Sequence, residues 1–400
     1  MWRDECPLHR RDQGEIARAM NALEQAIVSK IRRDGAMPFA SFMEMALYHR
    51  GLGYYAAPHR TIGGKGDFYT SPHLHPVFGA VLAKVLMEMW QAMGHPPVFH
   101  LVEMGAGAGH LGRDILDYLH HDGHREAEKR GLLASLSFCI VEPYGHFREK
   151  QQENLGSFAD RIQWVESPKA LPSDLAGCVF SNELLDAFPV HLVVMGDVLQ
   201  EIYVDFDGAR FTEEKKTVSS GELTDYVDEF ELRLHRGYRT EINLRMRGWL
   251  SEISRKLSHG FLLTIDYGYS TQEYYNEQRT SGTLLCYHQH QLNENPYAHI
   301  GEQDITAHVN FSALKKWGEE LGLQSLGYAP QGAFLTAAGM DEAITELYAD
   351  APDYLSEILK IKGLILPQGM GESHNVMIQY KGEGFPQLRG FTLRNRLASL

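Results

Sequence analysis

Apolar residues recur with two different periods along this chain, and between residues 98 and 119 the two follow each other directly. The run Val98 to Met104 is interrupted only by His100 and Glu103, and then Leu111, Ile115, Leu116 and Leu119 follow at helical spacing. The run predicts a buried strand over 98–104, and the spacing predicts a helix over about 110–120. Similar pairs follow downstream. Strands are expected at 136–141, 162–165, 177–180 and 261–265, each a short apolar run, with helices near 146–155 and 244–257. Strands alternating with helices at this spacing predict a mostly parallel α/β sheet with helices on both faces.

The flanks follow other rules. Ile16, Met20, Leu23, Ile27 and Ile31 place one apolar face on a helix over 14–34, and further helices are expected at 41–49 and 77–93. Residues 190–218 alternate as strands do, with Asp207-Gly208 as a hairpin turn. That stretch reads as a β insertion, followed by a helix near 222–232. Beyond residue 311 the pattern predicts helices at 311–321, 332–338, 340–348 and 351–361, and strands at 323–327 and 375–380. The expected organisation is an N-terminal helical region over 1–97 and a nucleotide-binding domain over 98–400. Insertions at about 190–245 and 270–310 form a substrate-side subdomain.

Composition narrows the class. At 400 residues, 44% hydrophobic and 22% charged, the chain can bury a substantial core. Its formal net charge is −14 with no basic block, which argues against nucleic acid as principal partner. No apolar run approaches the roughly 18 residues of a membrane span. Cys6, Cys139, Cys178 and Cys286 are scattered without a C-x-x-C pair, and the N-terminus lacks an apolar signal core, so the cytoplasm is the expected location.

The chemistry concentrates at the strand ends. After the first strand comes Glu103-Met104-Gly105-Ala106-Gly107-Ala108-Gly109-His110-Leu111-Gly112. Glycines let backbone N–H groups and a helix N-terminus come close to a ligand. Gly107, Gly109 and Gly112 satisfy the dinucleotide fingerprint, whereas Glu103, Gly105, Gly107 and Gly109 form E-x-G-x-G-x-G. The turn alone does not choose between them. Glu142, closing the second strand, can accept both ribose hydroxyls of a nucleotide. It lies farther along than the ~20 residues usual in a dinucleotide fold. A polar cluster, Asn182, Glu183, Asp186 and His191, follows the fourth strand. The glycine-rich segment 62–72 reads as a lid offering Asp67, Thr70 and Ser71. His120-His121-Asp122-Gly123-His124 sits among turn residues, and His288, His290, Glu302, Asp304 and His308 lack helical H-x-x-x-H spacing, so no metal is expected.

Taken together these blocks resemble the MidA-like family of class I S-adenosylmethionine (SAM) methyltransferases, which includes the mitochondrial complex I assembly methyltransferase. The resemblance rests on Gly53-Tyr54-Tyr55, Gly66-Asp67-Phe68-Tyr69-Thr70, the Glu103–Gly109 turn, and Asn182 to Val190. It continues through Asp266-Tyr267-Gly268, Gly282-Thr283-Leu284, Asp304 to Phe311 and Gln331-Gly332-Ala333-Phe334-Leu335, in family order over about 37–380. Asn310 stands where the family has Asp, and Gly371-Glu372-Ser373-His374-Asn375 lacks the expected Phe-Lys. The resemblance implies a Rossmann-like fold, SAM as cofactor and S-adenosylhomocysteine as its product. It also implies methyl transfer to an arginine of a protein, with a respiratory-complex-type subunit as the kind of partner.

On that footing Glu183 and Asp186 are the expected carboxylates that hold a guanidinium and accept its proton. Glu142 is expected on the ribose, with Glu103, Gly105, Gly107, Gly109, Asn182, Asp67, Thr70 and Ser71 completing the cofactor site. Two other classes stay open here. One is a SAM-binding assembly protein without turnover, the other a nicotinamide-dependent oxidoreductase.

Overall fold

The structure is a computed structural model that describes residues 20–57, 75–122, 125–349, 352 and 354–400. Its centre is a sheet in the order β4 (Ile162–Val165), β3 (Leu136–Val141), β2 (Phe99–Met104), β5 (Leu175–Asn182), β10 (Leu257–Tyr269), β16 (His374–Lys381) and β15 (Gln324–Pro330). β4 through β10 run parallel, and β16 is antiparallel to both of its neighbours. Strand order reverses between β2 and β5. In an open α/β sheet, ligands bind at the carboxyl ends beside such a switch point.

Period-two side-chain alternation explains why these strands are apolar throughout. Leu101, Ile140, Phe180, Leu263 and Ile378 pack on one face with the helix Val77–Ala92 and the helix His110–His120. Val102, Cys139, Val179, Leu262 and Met377 pack on the other, with the helices Arg245–Lys256 and Phe311–Glu320. Neighbouring backbones also come close at Gly177 (φ +150°), where an added Cβ would lie 2.0 Å from the His100 carbonyl oxygen. Gly177→Ala should therefore cost about 3 kcal/mol or more of stability, read by denaturant unfolding.

A second sheet, antiparallel, has the order β1 (Met37–Pro38), β7 (Leu199–Phe206), β6 (His191–Met195) and β9 (Arg239–Ile242), with β8 (Phe211–Thr217) on β7. Leu23, Ile27 and Ile31 of the helix Ala22–Asp34 pack on it, as do Phe39 and Phe42 of the helix Phe39–Tyr48. The hairpin turn forms at Asp207, whose carboxylate accepts from Ala209 N and Arg210 N. A small sheet of β11 (Leu285–His288), β12 (Gln291–Asn293) and β13 (Asp304–Thr306) lies in the second insertion, and β14 (Val309–Asn310) extends β10.

Several elements differ from the sequence pattern. β10 has 13 residues where five were expected, because its ladder continues through Asp266-Tyr267-Gly268 to β16 and β14. The helix Glu126–Ser135 was not foreseen. It docks through a close approach, an added Cβ at Gly131 falling 2.7 Å from the Trp90 ring. Of the helix expected at 14–34, Ala22–Asp34 is described, opened by a reciprocal cap between Asn21 and Glu24. The helix expected at 351–361 spans Tyr354–Ile365. Among the described residues, no helix is long and apolar enough to cross a membrane.

Candidate active site

A cavity of about 730 Å³ opens at the carboxyl ends of β2, β3, β4 and β5. Each strand delivers one loop to it. The glycine turn follows β2, Glu142 to Tyr144 follow β3, Glu166 to Pro168 follow β4, and Asn182 to Leu184 follow β5. Tyr48, Tyr55, Arg245 and Trp249 close the remaining side. The size suits a small organic ligand.

The glycine turn needs its glycines for different reasons. Gly105, Gly107 and Gly109 all have positive φ, a region costly for other residues. An added Cβ at Gly107 would meet nothing within 4 Å, so its space is open to a ligand. At Gly105 it would touch Leu184, and at Gly109 it would touch Gln151. Gly112 serves packing, since a Cβ there would sit 2.7 Å from Glu103 Oε2. That oxygen makes no hydrogen bond, and burial pushes the Glu103 carboxyl up to about 8, with Asp114 adding to the effect.

Glu142 is buried at the far wall. Its oxygens accept from Tyr144 N (3.0 Å) and Gln151 Nε2 (3.0 Å), yet burial still raises the carboxyl to about 7. Gln151 is the residue that sequence reasoning missed. Its Nε2 also donates to the Gly107 carbonyl at 2.9 Å, and its Oε1 accepts from Trp164 Nε1 at 2.8 Å. One buried amide thus ties the glycine turn to Glu142 and β4. Its only sequence signal is a polar residue on the inner face of the helix Gly145–Leu155. Gln151→Leu should strand both acceptors. We expect affinity for the cofactor that the sequence resemblance implies to fall about tenfold, measured by calorimetry, because the turn and Glu142 lose the amide that holds them together.

The turn after β5 is strained and pinned. Glu183 sits at φ +51°, and its N–H donates to the Ile265 carbonyl at 2.9 Å. Asp266 of β10 holds the next residues, accepting from Leu184 N (3.2 Å), Leu185 N (2.9 Å) and Tyr267 N (2.9 Å). The Glu183 side chain, 3% exposed, accepts from Asn182 Nδ2 (3.2 Å) and the Tyr267 hydroxyl (3.4 Å). Asp186 does not reach the cavity lining. It lies behind the turn, 4% exposed, and its Oδ1 makes no hydrogen bond. Burial, then the nearby Asp266, Glu183 and Asp304, holds its carboxyl well above the ordinary range. Asp304 in turn accepts from the Tyr55 hydroxyl at 2.8 and 2.9 Å. Four carboxyl groups therefore meet below the cavity floor.

The other sequence expectations divide. Glu103, Gly105, Gly107, Glu142, Asn182 and Glu183 share the cavity, and Gly109 opens the helix behind it. Asp67, Thr70 and Ser71 lie outside the described residues. Asn310 is a helix cap, accepting from Ser312 N and Ala313 N. Its amide donates to the Tyr226 hydroxyl and Thr271 Oγ1, which a carboxylate could not do. Gly282-Thr283-Leu284 wraps the buried Glu241, which accepts from Thr283 N and Leu284 N. His288 stacks on His299, His308 stacks on Tyr269, and Asp304 turns to Tyr55, so these groups serve separate contacts.

The family described as "Putative S-adenosyl-L-methionine-dependent methyltransferase" matches residues 81–329. A Burkholderia thailandensis protein solved with S-adenosyl-homocysteine bound is 31% identical, with a TM-score of 0.84 over 95% of this chain and 96% of that one. The Drosophila melanogaster protein named "Protein arginine methyltransferase NDUFAF7 homolog, mitochondrial" is 27% identical over 90% of this chain and 85% of its own length. The Rattus norvegicus protein named "Protein arginine methyltransferase NDUFAF7, mitochondrial" is 26% identical over 93% and 87%.

Proposed function

The chain belongs to the S-adenosyl-L-methionine-dependent methyltransferase family, and from that premise we propose that it methylates an arginine side chain of a protein partner. SAM is its cofactor, and the cavity fits that role. Gly107 leaves open space, Glu142 offers a buried carboxylate, and Asn182 Oδ1 is buried without a hydrogen bond. Bound SAM supplies an electrophilic methyl group on a sulfonium sulfur. In this reading the backbone of Gly105, Gly107 and Gly109 surrounds the methionine part, beside Glu103. Glu142 takes the ribose, Asn182 sits where cofactor and acceptor meet, and Asp67, Thr70 and Ser71 complete the cofactor site, as the sequence pattern implies.

The observation that carries arginine as acceptor is Glu183 on the cavity wall with Asp186, Asp266 and Asp304 behind it. A carboxyl group on the cavity wall can hold a cation, and a guanidinium is planar and always charged. Glu183 contacts it, aligns one nitrogen and takes the proton released on methylation. Asp186 backs Glu183 from below. Incubation with labelled SAM and a cell lysate, followed by mass spectrometry, should return methylarginine. Label on another residue type, or SAM binding without transfer, would overturn the acceptor.

Glu142 adds a pH signature. Near pH 6 its carboxyl is mostly protonated, and ionised above about 7 it becomes the better acceptor for two hydroxyls. SAM affinity should therefore rise between pH 6 and 8 and then level off. Glu142→Gln should bind more weakly and lose the part of that rise that belongs to Glu142, both read by calorimetry. Cys139, Cys178 and Cys286 are free, buried thiols, which suits a reducing compartment.

A further inference from the structure

His374 is buried, 1% exposed, at the start of β16, where the family pattern has an apolar residue followed by lysine. It pairs across the ladder with Tyr267, and the two rings lie 4.1 Å apart. Its Nε2 makes no hydrogen bond and lies 3.5 Å from Glu183 Oε1. On the other side, Nδ1 lies 3.1 Å from the hydroxyl of Ser373, an exposed residue. An imidazole thus bridges the site carboxylate and the surface.

The contact makes chemical sense with one proton added. A carboxylate and a neutral Nε2 are both acceptors, so neither can donate to the other. One proton on either atom completes a hydrogen bond between them. We infer that His374 is a positioning residue that carries the acceptor's proton from Glu183 to solvent.

The inference rests on arginine as acceptor. As the guanidinium nitrogen bonds to the methyl carbon, the carbon–sulfur bond breaks and its electron pair stays on sulfur. The nitrogen's proton passes to Glu183 Oε1 and then to His374 Nε2, while Nδ1–H is given up towards Ser373 Oγ and water. Glu183 ends ionised, and proton exchange with water returns His374 to its Nδ1–H form before another turnover. Around Glu183, Asn182 Nδ2 donates to Oε1 at 3.2 Å. Tyr267 and Asp266 reach the same residue from β10, Asp186 sits below, and His308 is the other imidazole in range of His374. Burial drives His308 down to about 4, so it stays neutral in the working range.

Two measurements test this. Histidine-labelled protein is examined by nitrogen NMR without substrate, comparing wild type with Glu183→Gln. The His374 ring-nitrogen resonances should differ between the two proteins, because the acceptor facing Nε2 has been replaced by an amide. Identical His374 resonances would overturn the pairing. Single-turnover transfer to an arginine peptide drawn from a random peptide library is then followed in H2O and in D2O. The wild-type rate should be slower in D2O, because a proton moves through His374. His374→Phe and His374→Gln should each lose at least about tenfold in rate and lose that isotope effect, with acceptor KM and the thermal shift on SAM unchanged. If His374→Gln restores the rate, the role is structural and the relay is wrong. If NMR shows the pairing but wild type makes no methylarginine, the pairing stands and the arginine acceptor fails.

Discussion

Glu183→Gln is expected to bind SAM as the wild-type protein does and to transfer methyl groups at least about 100-fold more slowly. The substitution keeps the size of the side chain and leaves one oxygen to accept from Asn182, with the new amide able to donate to the Tyr267 hydroxyl. It removes the charge that aligns a guanidinium and the basic oxygen that takes its proton. The strained backbone at φ +51° is unaffected, so the protein should fold normally. Calorimetry with SAM and a single-turnover labelled-methyl assay separate the two effects. Full transfer by this variant would remove Glu183 from the reaction. Asp186→Asn is a weaker change in the same assay, because Asp186 lies behind the turn and off the cavity lining, where burial and neighbouring acids hold its carboxyl well above the ordinary range and an uncharged amide costs less.

Gly107→Val should abolish measurable SAM binding, a loss of at least about 100-fold, or roughly 2.7 kcal/mol. A β-branched residue at φ +52° is strained, but the space beside it is open, so the folded state survives. The same open space is where the cofactor's backbone contacts form, and two methyl groups would fill it. Thermal shift with S-adenosylhomocysteine checks the outcome. Wild-type affinity would move the cofactor elsewhere in the cavity. Gly112→Val tests a different idea, since Gly112 packs on Glu103 and Phe138; there, stability should fall before affinity does.

The parallel core could be read from the chain because both faces of each strand are buried. Leu101 and Val102 enter opposite cores, so the strand shows a nearly unbroken apolar run. The polar ends of those runs located Glu142 and the Asn182–Glu183 turn. Short strands such as β9, β13 and β14 escaped, because partners far along the chain stabilise them and their own pattern does not. The helix Glu126–Ser135 escaped for a related reason, its docking depending on a glycine against Trp90.

The site itself divides along the same line. Local chemistry in the chain specified the glycine turn, the acid closing β3 and the carboxylates after β5, since backbone freedom and residue type are properties of short segments. Folding decided which of them line the cavity. It put Glu183 on the cavity wall and Asp186 behind it, because Asp266 pins the intervening backbone to β10. It also brought Gln151 to Gly107 and Glu142, and His374 to Glu183, across separations of 44, 9 and 191 residues. Hydrogen bonds and proton paths depend on distances of a few ångströms, and no spacing along a sequence encodes those.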